Sequence, residues 1–154
     1  MKKINKVVIP IAGLGTRMLP ASKAIPKEMF PIITKPIIQY IVEEAIYAGF
    51  KEIIFVTRNG DNTAMNYFET DLELESILSK HSKKFLLKEV NSISKLKVKF
   101  LTVEQKKPRG LGHSILCAKS LIADEPFAVM LPDMVIDSDY KKNNIALMKK
   151  KFET

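Results

Sequence analysis

The chain has 154 residues, 46% of them hydrophobic and 27% charged, the balance of a globular protein; this length predicts one domain that hides roughly 68–70% of its unfolded surface. No apolar run approaches the roughly 20 residues of a membrane-spanning helix, and the start, MKKINKVVIPIAG, meets proline and glycine too early for a secretory core. A single cysteine, Cys117, excludes an internal disulfide, so a cytoplasmic location without a membrane partner is expected.

The net charge of +8 is unevenly spread. Residues 1–36 hold seven basic and one acidic side chain, 37–78 two and eight, 79–119 eleven and two, and 120–154 five and six. Two basic stretches of this kind fit a polyanionic substrate held between them, or a nucleic-acid surface. Only Phe85 and Phe100 stand among the lysines of 80–107, which gives bases no stacking platform. No nucleic-acid partner is therefore expected, and Lys80, Lys83, Lys84, Lys95 and Lys97 read as a solvated face.

In chain order, residues 4–10 form an apolar run without alternation, the pattern of a parallel strand buried on both faces. Gly13 and Gly15 follow, then Pro20, Pro26 and Pro31, whose spacing rules out a continuous helix and predicts a stiff excursion returning along the sheet edge. Residues 37–46 carry apolar side chains at helical spacing between Pro36 and Gly49, a first crossover helix. A second buried strand is expected over 52–57, with Asn59-Gly60-Asp61 as a turn able to cap the next helix. Strand, helix and strand so connected form a right-handed parallel unit. Residues 62–91 read as two or three helical pieces, with Phe68, Leu72, Leu74, Ile77 and Leu78 buried and Asp71, Glu73 and Glu75 solvated. His81, among serine and lysine, is expected to be exposed.

Partial alternation over 98–103 predicts a third strand nearer an edge. After Pro108 and Gly110 a helix covers 111–121, with His113 in its first turn as an uncharged capping or packing histidine, and Cys117 as a small buried hydrophobe. Residues 127–131 form a fourth buried strand closed by Pro132-Asp133, Asp137 and Asp139 are loop or cap residues, and a last helix spans about 143–152 with Ile145, Leu147, Met148 and Phe152 as its apolar positions. The fold class is α/β, a Rossmann-like, mainly parallel sheet with flanking helices.

The stretch AGLGTRMLPASKAIPKEMFP, residues 12–31, concentrates the chemistry. Without side chains at Gly13 and Gly15 an anion can approach the backbone N–H groups, and Arg17, Lys23 and Lys27 add positive charge. The spacing is neither Gly-x-Gly-x-x-Gly nor the Walker pattern, so on the loop alone a plain tight turn and a phosphate-handling loop both stand. Asp133 closes a parallel strand at its C-terminal end, where α/β proteins bind ligands. No acid–base dyad, serine triad or cysteine nucleophile is present, and two histidines with one cysteine are too few for a metal site built from those residues.

AGLGTR, LPASKAIPKEMFPI, EQKKPRGLGHSILCAK and EPFAVMLPD occur in this order along almost the whole chain. Together they resemble the bacterial UTP:glucose-1-phosphate uridylyltransferases, a branch of the sugar-phosphate nucleotidyltransferases. The resemblance implies attack by glucose 1-phosphate on the α-phosphorus of UTP, giving UDP-glucose and pyrophosphate. It implies that Arg17 holds the β and γ phosphates, with Lys27 on the same polyphosphate path, and that Asp133 binds Mg2+. Gln105, whose amide both donates and accepts, then reads the base, with Ala12, Gly13, Leu14, Gly15 and Gly110 as the other UTP-binding residues. Glutamine favours a pyrimidine without separating uridine from thymidine; that choice rests on the GLGH and LPASKAIPKEMFP matches.

The sequence departs from the family pattern at Thr34 and Ser114, where aspartate and alanine are expected, and at Met65-Asn66-Tyr67 in a variable helix. Chains of that family are about twice this length and homo-oligomeric. Residues 1–154 therefore correspond to a nucleotide-binding portion, and the groups that hold the glucosyl phosphate fall in the half not represented. The alternative is a non-catalytic homologue that binds nucleotide or serves as a subunit-interaction module.

Overall fold

The computed structural model describes residues 3–136 and 143–154; Asp137 and Asp139 lie outside them. The chain divides into two compact units, one of Met1–Asp61 with Val98–Thr154 and one of Asn62–Lys97. The first contains a four-stranded sheet in the order β5-β4-β1-β6, with β1 at Lys6–Pro10, β4 at Glu52–Arg58, β5 at Lys99–Gln105 and β6 at Phe127–Val129. All its pairings are parallel: Val8 lies opposite Ile54 and Val129, and Arg58 opposite Gln105. The partly alternating third strand of the sequence reading is indeed at an edge.

Unbroken apolar runs bury both faces of the two central strands, since successive side chains point to opposite sides. Val8, Ile54 and Val56 pack with Ala118 and Ile122 on one face, while Val7, Ile9, Ile53 and Phe55, facing the other way, are as fully buried. Phe55 stacks on Phe100 of β5 with ring centroids 5.6 Å apart. Helix α1, Ile37–Tyr47, starts at Pro36, ends before Gly49 in the left-handed conformation, and buries Ile38, Ile41, Val42 and Ala45.

The final helix, α7 (Asn144–Glu153), is fastened to the C-terminal end of α1 by polar side chains. Asn143 accepts from the Ala146 N–H and donates to the Glu44 carbonyl. Lys149 donates to the carbonyls of Ala48 and Gly49 while its ammonium lies 4.7 Å from the centre of the Phe50 ring. Burial pushes the Lys149 ammonium below its ordinary pKa. Of the four apolar positions expected there, Ile145 is buried and Leu147, Met148 and Phe152 are exposed. At the same end of the sheet, where β1 begins, Lys6, almost fully buried, donates to the carbonyls of Leu121 and Ile122 and pairs with Glu125 at 2.7 Å.

Elsewhere the structure departs from the expected pattern. The excursion after β1 is made of three single 3-10 turns, Thr16–Met18, Ala21–Lys23 and Lys27–Met29, and closes in its own antiparallel ribbon, β2 (Pro31–Ile32) with β3 (Lys35–Pro36), instead of returning along the main sheet. The helix expected over 111–121 breaks at Ala118 into α5, Leu111–Cys117, and α6, Lys119–Ile122, where Ala118 has φ −79° and ψ −2° and its N–H closes a tighter turn onto the Ile115 carbonyl. Cys117 is half-buried. Asp61 accepts from Arg58 at 3.3 Å.

The second unit holds three helices among the described residues: α2 (Thr63–Phe68), α3 (Leu72–Lys80) and α4 (Lys84–Ser94). Asp71 caps α3 by accepting from the Leu74 N–H at 2.9 Å. Phe68 and Leu78 are buried as expected, but Leu72, Leu74 and Ile77 are exposed, Leu72 by 76%. A unit this small has much surface for its volume, so one apolar position per turn is covered and its neighbours are not. Glu75 is half-buried with one oxygen sealed and unpartnered, against the expected solvated position. His81 and the five lysines assigned to a solvated face are exposed. Among the described residues no helix is long and apolar enough to cross a membrane.

Candidate functional site

The strand order brings the glycine bend and Asp133 together. From β1 the chain crosses to β4 and β5 on one side, then returns past β1 to place β6 on the other. The loops leaving β1 and β6 therefore diverge around a crevice at their C-terminal ends, the position where open parallel sheets bind ligands. Ile11 still donates to the Val56 carbonyl at 2.8 Å, and Met130 to that of Val8 at 3.0 Å, so both loops leave from fixed stems.

Two adjoining clefts occupy the crevice. The first, of about 440 Å³, is lined by Gly13, Gly15, Arg17, Lys27, Glu28 and Asp133, among others. The second, of about 530 Å³, shares Gly13, Arg17, Lys27 and Asp133 and extends to Ala12, Leu14, Gln105 and Gly110. Every site residue inferred from the sequence thus opens onto one continuous depression, within the size range of small-molecule sites. Lys23, in the same basic stretch, lines neither cleft.

Local geometry explains the bend. Gly15 has φ 61°, and its carbonyl accepts from the Ser22 hydroxyl and the Met18 N–H, both at 2.8 Å. A Cβ at Gly15 would lie 3.2 Å from Cβ of Ser22 and 3.3 Å from Cβ of Lys27, so the close approach that packs Lys27 against the bend requires glycine. Lys27 then reaches across the crevice to Asp133, Nζ to Oδ2 2.8 Å. That hydrogen bond holds the Asp133 carboxyl below its ordinary pKa, with the Lys27 and Arg17 charges acting in the same direction against partial burial. Arg17 is exposed and has no hydrogen bond or ion pair among the described residues, leaving its forked donors open to an anion.

At the other end of the depression Gln105, the last residue of β5, is 7% exposed. Its amide nitrogen lies 3.1 Å from the Gly110 carbonyl and 2.9 Å from Nδ1 of His113. His113 caps nothing; it is tied to the glutamine. The Ser114 hydroxyl beside it is sealed and unpartnered.

Glu28 is the residue that the sequence reading missed. It is 3% exposed, one carboxylate oxygen has no partner, and it lines the first cleft. Burial pushes its carboxyl up to about 7; Asp61 adds to the rise, while its own backbone N–H, Lys27 and Arg58 oppose it. Nothing in the local pattern Pro-Lys-Glu-Met signals this, because the burial comes from a 3-10 turn folded onto the β4 end.

A family model described as nucleotidyl transferase matches residues 6–153. The chain belongs to that family. It is 51% identical over 154 residues to a UTP–glucose-1-phosphate uridylyltransferase of Escherichia coli K12, covering 98% of this chain and 51% of that protein. With one of Salmonella typhimurium LT2 it is 53% identical, over 96% of this chain and 50% of the relative. Among solved structures it is similar to a UDP-glucose pyrophosphorylase from Acinetobacter baumannii, with TM-score 0.93, 43% identity, and 97% and 53% of the two chains covered. A UTP-bound enzyme from the same organism gives TM-score 0.84 and 47% identity, over 89% of this chain and 48% of that one. The chain spans about half the length of the relatives it matches.

Proposed function

We propose that this chain is the UTP-binding portion of a cytoplasmic UTP:glucose-1-phosphate uridylyltransferase. The observation that carries the reading is the convergence of the glycine bend, Arg17, Lys27, Gln105 and Asp133 on one depression, with Lys27 and Asp133 2.8 Å apart across it. Arg17 binds β- and γ-phosphate oxygens through its fork, and Lys27 supplies a point charge beside them. Backbone groups of Ala12, Gly13, Leu14, Gly15 and Gly110 line the nucleotide, and Gln105 meets the base edge.

The donor set suits Mg2+. Among the described residues no three His, Cys, Asp or Glu gather, whereas Mg2+ is commonly held by one or two carboxylates together with substrate phosphates. Asp133, more than a third of whose side chain is exposed, is that carboxylate; bound Mg2+ would neutralise phosphate charge. As a phosphate passes Lys27, the ammonium exchanges Asp133 for phosphate oxygens and releases the carboxylate. An oxygen of glucose 1-phosphate then forms the new bond to the α-phosphorus as the bond to the bridging α–β oxygen breaks, and pyrophosphate leaves with that electron pair. The attacking oxygen is already anionic, so alignment and charge neutralisation are what the protein must provide.

The test is calorimetric. Mg·UTP should bind the wild type and bind Arg17→Ala about tenfold or more weakly, the scale of a charge-assisted contact; no binding to either, or equal binding to both, would refute the reading. A second possibility is nucleotide binding by these residues without turnover. UDP-glucose released by the purified chain from UTP, glucose 1-phosphate and Mg2+ would reject it.

A further inference from the structure

We infer that His113 is a positioning residue: it locks the Gln105 amide so that only the carbonyl oxygen is offered to a nucleotide base. This rests on Gln105 being the base-facing residue. The Gly110 carbonyl can only accept, so the amide atom 3.1 Å from it must be Nε2. The same nitrogen lies 2.9 Å from Nδ1 of His113. One N–H goes to Gly110, and the other can be satisfied by Nδ1 only if that nitrogen carries a lone pair. The ring is then neutral, with its proton on Nε2. Cys117, one turn further along α5, brings its thiol to 3.8 Å from the same Nδ1, a weak donor that also favours a lone pair there.

Both amide hydrogens are thereby consumed inside the protein. Oε1 of Gln105 has no hydrogen-bond partner among the described residues and is not one of their sealed polar atoms, and the residue lines the cleft with Gly110 and Ser114. Rotating the amide by 180° would set Oε1 against the Gly110 carbonyl and the Nδ1 lone pair, three acceptors facing one another. The open face of Gln105 is therefore an acceptor, which pairs with the N3–H of uracil or thymine and meets a lone pair on N3 of cytosine. Discrimination against cytosine then comes from a histidine that never touches the base.

Two variants and one spectrum test this. His113→Leu removes the acceptor, whereas His113→Asn keeps one, because the Asn side-chain oxygen can occupy the place of Nδ1. Mg·UTP and Mg·CTP titrated into the full chain should show the UTP:CTP affinity ratio falling about five- to tenfold in His113→Leu, the scale of one hydrogen bond, and returning to within about twofold in His113→Asn. Nitrogen-15 NMR of the wild type should show Nδ1 of His113 unprotonated at neutral pH. A proton on Nδ1 overturns the proposal, as does an unchanged ratio in both variants. If His113→Leu does not fold, the spectrum and the His113→Asn ratio still decide. Wild type that binds neither nucleotide, yet has the expected tautomer, would overturn the uridylyl reading and leave the amide lock standing.

Discussion

Replacing Glu28 by glutamine isolates the one strongly perturbed carboxyl of the site. Its pKa rises from 4.5 to about 7 in the fold, so between those values the native state holds a proton that the unfolded chain has released. Stability associated with this group is fully present below about pH 4.5, declines as pH rises through about 7, and is level above that. At about 1.4 kcal/mol per pH unit, the difference amounts to about 3.5 kcal/mol at most. Glu28→Gln has the same shape and cannot ionise. It should match the wild type near pH 4.5 and exceed it by about 2–3 kcal/mol at pH 8, a rise in Tm of roughly 4–12 °C for a chain of this size. Glu44, also raised by burial, titrates in both proteins and drops out of the comparison. Thermal unfolding of the pair from pH 4.5 to 8.5 is the assay. Parallel curves would show that Glu28 ionises freely in the fold and that its burial has been misjudged.

Three further substitutions probe the scaffold. Gly15→Ala places a methyl 3.2–3.3 Å from the Cβ atoms of Ser22 and Lys27 at φ 61°, so stability should drop by about 1–2 kcal/mol and Mg·UTP should bind more weakly as Lys27 is displaced. Gly13→Ala, whose nearest neighbour is Lys27 Cε at 3.7 Å, should keep its melting temperature and lose affinity only; equal melting temperatures for the two variants would contradict this account. Lys6→Met leaves the carbonyls of Leu121 and Ile122 without their ammonium donor and should cost about 1–3 kcal/mol. Urea denaturation measures it, and an unchanged midpoint would mean that water replaces the lysine at no cost.

What could be read in advance depended on how local its cause was. Strands β1 and β4 were visible as apolar runs, and α1 was bracketed by Pro36 and Gly49. The edge position of β5 followed from its incomplete alternation. The break at Ala118 has no glycine or proline to announce it, and the fully buried Ala118 meets Val8 and Ile54, residues remote in sequence. Leu72 and Ile77 have helical spacing but too little unit around them to be covered. In the crevice, the glycines, the cations and Asp133 could be picked out as residue types, and the sheet order accounts for their meeting. Glu28 could not, because its environment is assembled from Arg58 and Asp61, and the Gln105–His113 bond spans a turn whose shape the sequence does not dictate.

Strand β1 has neighbours hydrogen-bonded along both of its edges, and the last such bond on the β4 side comes from Ile11. Whatever adjustment a ligand demands must then be taken up beyond that point, in residues 12–31, while the stem stays still. Amide hydrogens of Val7 to Ile9 should be among the slowest in the molecule to exchange with solvent. The bend they support behaves as a short swivel on a fixed post.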